Sequence, residues 1–294
     1  MAGSSSSPRL QTIVDDAWQG CSSYQFSGRV TKIRRTPQGD SGRLHSLYRN
    51  SRLLATAGRP DAVTWSVGAH SWTTRTDHHG YWSLVGSPSL NLRPGWHEIA
   101  TQPSASSPAG LLVVDPRNDT GIISDLDDTI LVTGVTSRRS FLRNSLLLPP
   151  EKRAAVPRMA QGYRRIVDAL PNPAAAPVFY LSATPRQLTD NVRRFLALAG
   201  YPRGVLILKH VARGSADPVR DHAAYKSRRI TEIFDSFPGV RFHLVGDDGG
   251  TDPEIYARFV RERPTQVADV WIQSVAKRRR PLPPGQRNAA ELCA

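Results

Sequence analysis

Cysteine is scarce: the 294 residues hold two, Cys21 and Cys293, one near each end. Two so placed cannot supply a disulfide framework. No CxxC pair or Cys/His cluster occurs, which argues against a structural zinc site. Long apolar runs are missing too. The longest, such as 177–181 and 205–208, fall far short of the ~20 residues that a membrane-spanning helix needs. The first eleven residues are polar and serine-rich, without the apolar core of a secretory signal. A cytoplasmic location is therefore expected. There is no GxGxxG, GxxxxGK[ST] or GxSxG, so no dinucleotide fingerprint, P-loop or nucleophile elbow is present. Negative charge is also short. Lys and Arg number 39 against 25 Asp and Glu, a net charge of +14. That favours anionic partners (nucleic acid, anionic lipid surfaces or phosphorylated substrates) without choosing among them.

What is present is an ordinary globular composition, 39% hydrophobic, at a length sufficient for two domains. Residues 1–22 read as a polar tail with one short helical pattern (Leu10, Ile13, Val14, Trp18). Residues 23–118 read as a small all-β sandwich domain. Runs rich in β-branched and aromatic residues at 28–33, 43–48, 62–67, 72–75, 81–84 and 96–100 alternate with turn signals. Asp77 and Gly80 sit where a tight turn wants them, predicting a hairpin across 76–82. His78 and His79 fall in that turn and read as exposed polar residues. Residues 119–276 change character. Short apolar strands at 121–124, 178–181, 205–208, 241–245 and 267–272 alternate with helical patterns at 186–199, 223–234 and 253–263. That alternation predicts an α/β domain with a parallel sheet covered on both faces. Residues 277–294, opening with Lys277-Arg278-Arg279-Arg280, read as a basic disordered tail.

In such folds ligands bind beyond the carboxyl ends of the strands, and here those ends carry the polar clusters. The first strand runs into Asp125-Leu126-Asp127-Asp128-Thr129. In an extended segment residues two apart point the same way, so Asp125 and Asp127 can converge. Two close carboxylates repel unless a cation sits nearby. Magnesium suits that role, preferring oxygen ligands and phosphate oxygens. One carboxylate can attack phosphorus, and the other can protonate the leaving alcohol and later deprotonate water. Ser182 follows the second strand and can hold phosphate oxygens or simply cap the next helix. Lys226 opens a helix and can neutralise a transferring phosphoryl group. Gly246-Asp247-Asp248-Gly249-Gly250-Thr251-Asp252 makes a flexible loop of oxygen ligands for a divalent cation.

Together these residues resemble the signature motifs of the haloacid dehalogenase superfamily: Asp125, Asp127 and Thr129 in DxDxT, then Ser182, Lys226 and the Asp247/Asp252 loop. They are more similar still to the catalytic domain of the actin-patch-type phosphatidate phosphatases. The resemblance rests on the run from Gly121 through Thr136, on Val178-Phe179-Tyr180-Leu181-Ser182 with Pro185, and on Gly246 through Tyr256. Bacterial members are similar in having an N-terminal β-domain with a DxxGY turn (Asp77–Tyr81) and a Gly-Trp-His stretch (Gly95-Trp96-His97). The resemblance implies a Rossmann-like sheet of haloacid dehalogenase type. It implies Asp125 as nucleophile and Asp127 as general acid/base, with Thr129, Ser182 and Lys226 on the phosphate side. Magnesium would be held by Asp125, Asp127 (through its carbonyl), Asp247 and Asp252. The implied activity is hydrolysis of phosphatidate to diacylglycerol and phosphate. Three positions depart from the family pattern: Asp248 stands where Ser is usual, Ala183-Thr184 follow Ser182, and His222 lies four residues before Lys226.

The expected partner is thus a phosphorylated lipid, with peripheral contact to an anionic membrane and no nucleic acid. The insert at 134–163 sets Phe141, Leu142, Leu146, Leu147 and Leu148 among Arg138, Arg139 and Arg143. It reads either as a small lid or as an amphipathic segment resting on a membrane. Two other functions stay open at this level: a phosphatase of soluble phosphomonoesters or nucleic-acid ends, and a non-enzymatic adaptor with a vestigial site.

Overall fold

A computed structural model describes residues 10–21, 23–32, 58, 60–86, 90–106, 108–132, 153–209, 221–275 and 281–293. The expected strand at 43–48, most of the basic apolar insert and the 277–280 cluster lie outside the described residues.

The first part of the chain is β-rich, as expected. Its strands are β1 (Leu10–Val14), β2 (Ala17–Gln19), β3 (Tyr24–Lys32), β4 (Ala62–Val67), β5 (His70–Arg75), β6 (Tyr81–Gly86), β7 (Gly95–Gln102) and β8 (Ala109–Val113). They form one sheet in the order β1-β3-β2-β8-β7-β4-β5, with β6 beside β3. On β4, Val63, Trp65 and Val67 are buried while Ala62 and Thr64 are exposed, the two-residue period of a half-buried strand. β3 and β4 are far apart in the sheet order, yet the Phe26 and Trp65 rings lie 4.2 Å apart. The sheet therefore folds over its own apolar face, enclosing Val30, Trp82, Ile99 and Leu111.

Two expectations for this region are corrected. Residues 10–19 form strands, not a helical pattern in a tail. β1 pairs with β3 residue by residue, from Leu10 opposite Lys32 to Val14 opposite Gly28. A helix this short has little stability of its own, whereas the ladder satisfies the backbone and buries Ile13 and Val14. The second correction concerns the hairpin at 76–82. The turn forms: the Asp77 carboxylate accepts from the backbone N–H of His79 and Tyr81 at 2.8 and 2.9 Å, and Gly80 takes φ 81°. The flanking strands diverge, however, β5 pairing with β4 and β6 with β3. The tight hairpin is β4–β5, closing with Val67 opposite His70 around Gly68 at φ 56°, where a two-residue loop favours glycine.

The second part is the expected α/β unit. Its elements are β9 (Thr120–Asp125), β10 (Leu131–Val132), β11 (Ala154–Ala155), α1 (Met159–Asp168), β12 (Val178–Pro185), α2 (Thr189–Leu198), β13 (Val205–Lys209), α3 (His222–Ser236), β14 (Arg241–Asp247), α4 (Asp252–Glu262), β15 (Val267–Gln273), β16 (Gln286–Asn288) and α5 (Ala289–Leu292). Six strands lie in the order β13-β12-β9-β14-β15-β16, every pair parallel. Alternate strand residues feed two layers. Ile122, Tyr180 and Val245 pack with Tyr163, Phe195 and Leu292 on one face. Ile123, Phe179 and Leu244 pack with Ile233, Phe234 and Phe259 on the other. The β-rich sheet docks on the second face through Leu112 and Trp18, the Trp18 ring meeting Phe179 edge-on at 5.7 Å.

The disordered tail is corrected for residues 281–293. β16 extends the sheet along β15, and α5 buries Ala289 and Leu292. Cys293 is buried behind it, its Sγ 4.0 Å from Met159 Sδ. An apolar residue every few positions is enough here because α1 offers a complementary surface. Among the described residues no helix is long and apolar enough to cross a membrane.

Candidate active site

β9, β12 and β14 lie side by side, so their carboxyl ends deliver polar residues to one edge. Asp125 closes β9 opposite Leu181, one residue before Ser182. The chain then turns sharply. Ile130 and Leu131 both donate backbone N–H to the Leu126 carbonyl at 3.2 Å, and Asp128 takes φ 58°, a left-handed conformation that Asp tolerates better than most residues. On β12 the register against β13 slips between Ser182 and Pro185. Ala183 and Thr184 therefore leave the ladder, and Ser182 Oγ accepts from the Thr184 N–H at 2.9 Å. Bulges of this kind re-aim side chains next to active sites.

Asp125, Asp247 and Asp252 come together as a buried trio whose carboxylate oxygens lie within 4.8 Å of one another. Lys226, on the first turns of α3, reaches in between them. Its Nζ is 3.0 Å from Asp125 Oδ1 and 2.5 Å from Asp252 Oδ1. Gly246 makes this possible, because a Cβ there would lie 2.3 Å from Asp252 Oδ2. Asp252 Oδ2 also accepts from the Asp247 N–H at 3.4 Å, and Asp247 Oδ1 from the Gly249 N–H at 2.7 Å.

Asp127 points elsewhere. Its Oδ2 accepts from Ser182 Oγ at 2.8 Å. It also lines a small, shallow hollow whose other walls include Leu126, Leu131, Arg153, Leu188, Val192 and Phe195.

One lysine for four carboxylates leaves the site electrostatically stressed. Burial, then the neighbouring acids, push Asp247 up to about 8. Burial pushes Asp125 up to about 6, with Lys226 pulling the other way. Burial and the Asp125 charge hold Asp127 well above the usual carboxylate range. Burial alone would lower Lys226, but the Asp125 and Asp252 charges outweigh it and raise its pKa. Such a cluster suits a hard divalent cation: every donor is oxygen, the net charge is negative, and water is largely excluded.

Of the residues expected from sequence, Asp125, Asp247, Asp252 and Lys226 are brought into one cluster, and Asp127 and Ser182 into a bonded pair beside it. Thr129 is buried, and its hydroxyl finds no hydrogen-bond partner among the described residues. Asp248 turns away, accepting from Val275 N–H at 2.6 Å and Ser274 Oγ at 3.0 Å. Four supporting residues were not anticipated. Ser124 Oγ donates to the Asp125 carbonyl at 2.6 Å and shares a 2.7 Å hydrogen bond with the Tyr163 hydroxyl, bracing the end of β9 from α1. Arg186, directly after Pro185, is fully buried. Its partner Asp15 lies on the turn between β1 and β2. Nothing local in sequence joins Asp15 to Arg186.

Residues 120–274 match the family described as phosphatidate phosphatase APP1, catalytic domain. The chain belongs to this family. Every acid of the trio, Asp127, Ser182 and Lys226 lie inside the matched segment, and the β-rich sheet lies outside it. Phosphatidate phosphatase APP1 of Saccharomyces cerevisiae is 31% identical over 155 residues, which cover 52% of this chain and 25% of that protein. An uncharacterized protein of Schizosaccharomyces pombe is 25% identical over 160 residues, 54% of this chain and 26% of that one. The chain thus matches about a quarter of the length of these curated relatives. Among solved structures, a carbohydrate acetylesterase from Xanthomonas citri superposes with a TM-score of 0.28 and 13% identity, over 90% of this chain and 60% of that chain.

Proposed function

We propose that the chain is a magnesium-dependent phosphatidate phosphatase that forms an aspartyl-phosphate on Asp125. The observation that carries the reading is the buried Asp125–Asp247–Asp252 trio with Lys226 set among it, inside the family's matched segment. Asp125, Asp247 and Asp252, with the Asp127 carbonyl, would hold the ion. Bound there, magnesium supplies positive charge opposite the phosphoryl oxygens.

The residues divide the work. Asp125, at about 6, is ionised near neutral pH and attacks phosphorus, and the phosphoester bond breaks as the Asp125–phosphate bond forms. Asp127, held higher by burial, keeps its proton and gives it to the departing alkoxide. It then takes a proton from the water that cleaves the acyl-phosphate, releasing inorganic phosphate and restoring Asp125. Two neighbouring carboxylates whose environments push their pKa values apart are the usual mark of such a division. Ser182 orients Asp127, and Lys226 holds Asp125 for in-line attack. The apolar wall beside Asp127 suits a leaving alcohol with a hydrocarbon skeleton. The net charge of +14 favours docking at an anionic leaflet from the cytoplasmic side.

The test is phosphate release from phosphatidate in detergent micelles, against a panel of soluble phosphomonoesters, with and without magnesium. Magnesium-dependent release from phosphatidate is expected, falling at least about 10⁴-fold in Asp125→Asn. Activity on soluble esters alone would replace the lipid reading with a soluble one. Full turnover by Asp125→Asn would remove the mechanism, and no turnover on any ester would leave an adaptor.

A further inference from the structure

We infer that Asp15, on the turn between β1 and β2 of the β-rich sheet, is a positioning residue for the active site: it holds Arg186, and through Arg186 the phosphate-binding end of β12. The inference rests on the proposed phosphatase reading and deepens it, because it makes the β-rich sheet part of the catalytic apparatus.

The stretch 182–185 needs an anchor. Up to Ser182, β12 is fixed by its ladder with β13; the slip in register then releases Ala183 and Thr184, and pairing resumes at Pro185 opposite Lys209, a residue with no N–H to give to the ladder. Inside the bulge, the Ser182 Oγ–Thr184 N–H bond ties the loop only to itself. The next residue along with a strong tie is Arg186. Its side chain is fully buried, its Nε donates to Asp15 Oδ1 at 3.1 Å, and its Nη2 pairs with Asp15 Oδ2. The Ser27 hydroxyl donates to the same carboxylate from β3. The Tyr81 ring lies 5.6 Å from the Arg186 guanidinium. A planar guanidinium bound at two points fixes direction as well as distance. Arg186 lies four residues from Ser182, and Ser182 carries the hydrogen bond to Asp127. A loosened Arg186 therefore frees the loop that sets the acid/base.

Asp16 supplies the control. It also bridges the two parts of the chain, accepting from Gly110 N–H at 3.1 Å, Leu206 N–H at 3.4 Å and Arg193 Nη2 at 3.0 Å. Its partners lie on β8, β13 and α2, and none of them belongs to the 182–185 stretch. Loss of Asp16 should weaken docking without touching the phosphate-binding stretch.

The experiment compares the full chain with Asp15→Asn, Asp15→Glu and Asp16→Asn. It measures melting temperature, kcat and KM on the wild-type substrate, and the Kd of inorganic phosphate by calorimetry with magnesium present. In Asp15→Asn, kcat should fall and phosphate Kd should rise by about tenfold each, with partial return in Asp15→Glu. In Asp16→Asn both should stay within about twofold, even at an equal or larger loss of melting temperature. Should Asp15→Asn fail to fold, Ser27→Ala removes one donor to the same carboxylate and should shift kcat and Kd in the same direction, by less. Unchanged kcat and phosphate affinity in Asp15→Asn, or losses in both variants that simply follow melting temperature, would overturn the inference and leave the phosphatase reading standing. A wild-type chain that neither turns over any ester nor binds phosphate would overturn the phosphatase reading, and this inference with it.

Discussion

Gly246→Ala is the most incisive single perturbation of the site. The glycine sits between the last apolar residue of β14 and Asp247, and α4 begins just beneath it. A Cβ placed there lies 2.3 Å from Asp252 Oδ2, 2.8 Å from Asp252 Cβ and 2.8 Å from Tyr256 Cε2. Ordinary contact begins near 3.4 Å, so the Asp252 carboxylate must retreat by about 1 Å. Tyr256 cannot make room for it, being fully buried and bonded through its hydroxyl to the Val245 carbonyl at 3.0 Å. A retreat of that size breaks the 2.5 Å bond from Lys226 and pulls one carboxylate out of the trio. Overpacking of this kind costs about 1–3 kcal/mol, or roughly 2–10 °C of melting temperature in a chain of this size. Misplacement by about 1 Å costs about 10²-fold in turnover. The assay is kcat across a magnesium titration, beside a calorimetric melt. Gly239→Ala serves as the reference, since a Cβ there meets nothing within 4 Å. Normal kcat and an unshifted magnesium requirement in Gly246→Ala would refute the reasoning, for Asp252 would then not need the space that the glycine leaves.

Three further expectations follow from the same geometry. In chelator-treated protein, Asp125 and Asp247 hold protons in the folded state up to about 6 and 8, against 3.8 when unfolded, so their contribution to stability is full below about pH 4 and is lost as pH rises through 8. Urea unfolding across that range should show stability falling, with magnesium restoring it at the alkaline end, and a rise with pH in the chelated protein would contradict the burial argument. Ser182→Ala removes a hydrogen bond that lowers the Asp127 pKa, so the alkaline limb of the kcat profile should move to higher pH while kcat itself drops about tenfold, and movement to lower pH would deny Asp127 its role as the acid. Truncation after residue 280 removes buried Ala289, Leu292 and Cys293 and should cost at least about 2 kcal/mol, whereas an unchanged urea midpoint would mean that β16 and α5 add nothing.

How much was legible in the sequence depended on how far apart the interacting residues stand. Strands of the parallel sheet announced themselves, because a strand buried on both faces must be almost continuously apolar, as in Val205–Lys209. The strand ends were equally plain, since an acid run directly after such a strand has few structural reasons to exist. α4 was marked by Pro at its first turn, and the end of α2 by Gly200, at φ 74°. Elements stabilised by distant partners were not legible. β1 is five residues long, and its β character comes from β3. β16 has no apolar pattern of its own and exists as an extension of β15. α1 was hidden because arginines are interleaved with its buried Met159, Tyr163 and Val167. The 76–82 turn was read correctly as a turn, but which strands its two arms join is decided by burial of Phe26 and Trp82, not by the turn. At the site, residue identities could be read, but the partition between them could not. The resemblance already set Asp252 beside Asp125 and Asp247, but only the fold shows Asp248 capping the 274–275 stretch and Asp127 on Ser182.

The strand order has a kinetic consequence. β9, which ends in Asp125, is a central strand whose two neighbours are drawn from residues 178–181 and 241–245. Both are far downstream, so native pairing waits on closure of two long loops, and such non-local topologies fold slowly. Until β14 arrives, the apolar strand Gly121-Ile122-Ile123 has an unpaired edge, open to pairing with another chain.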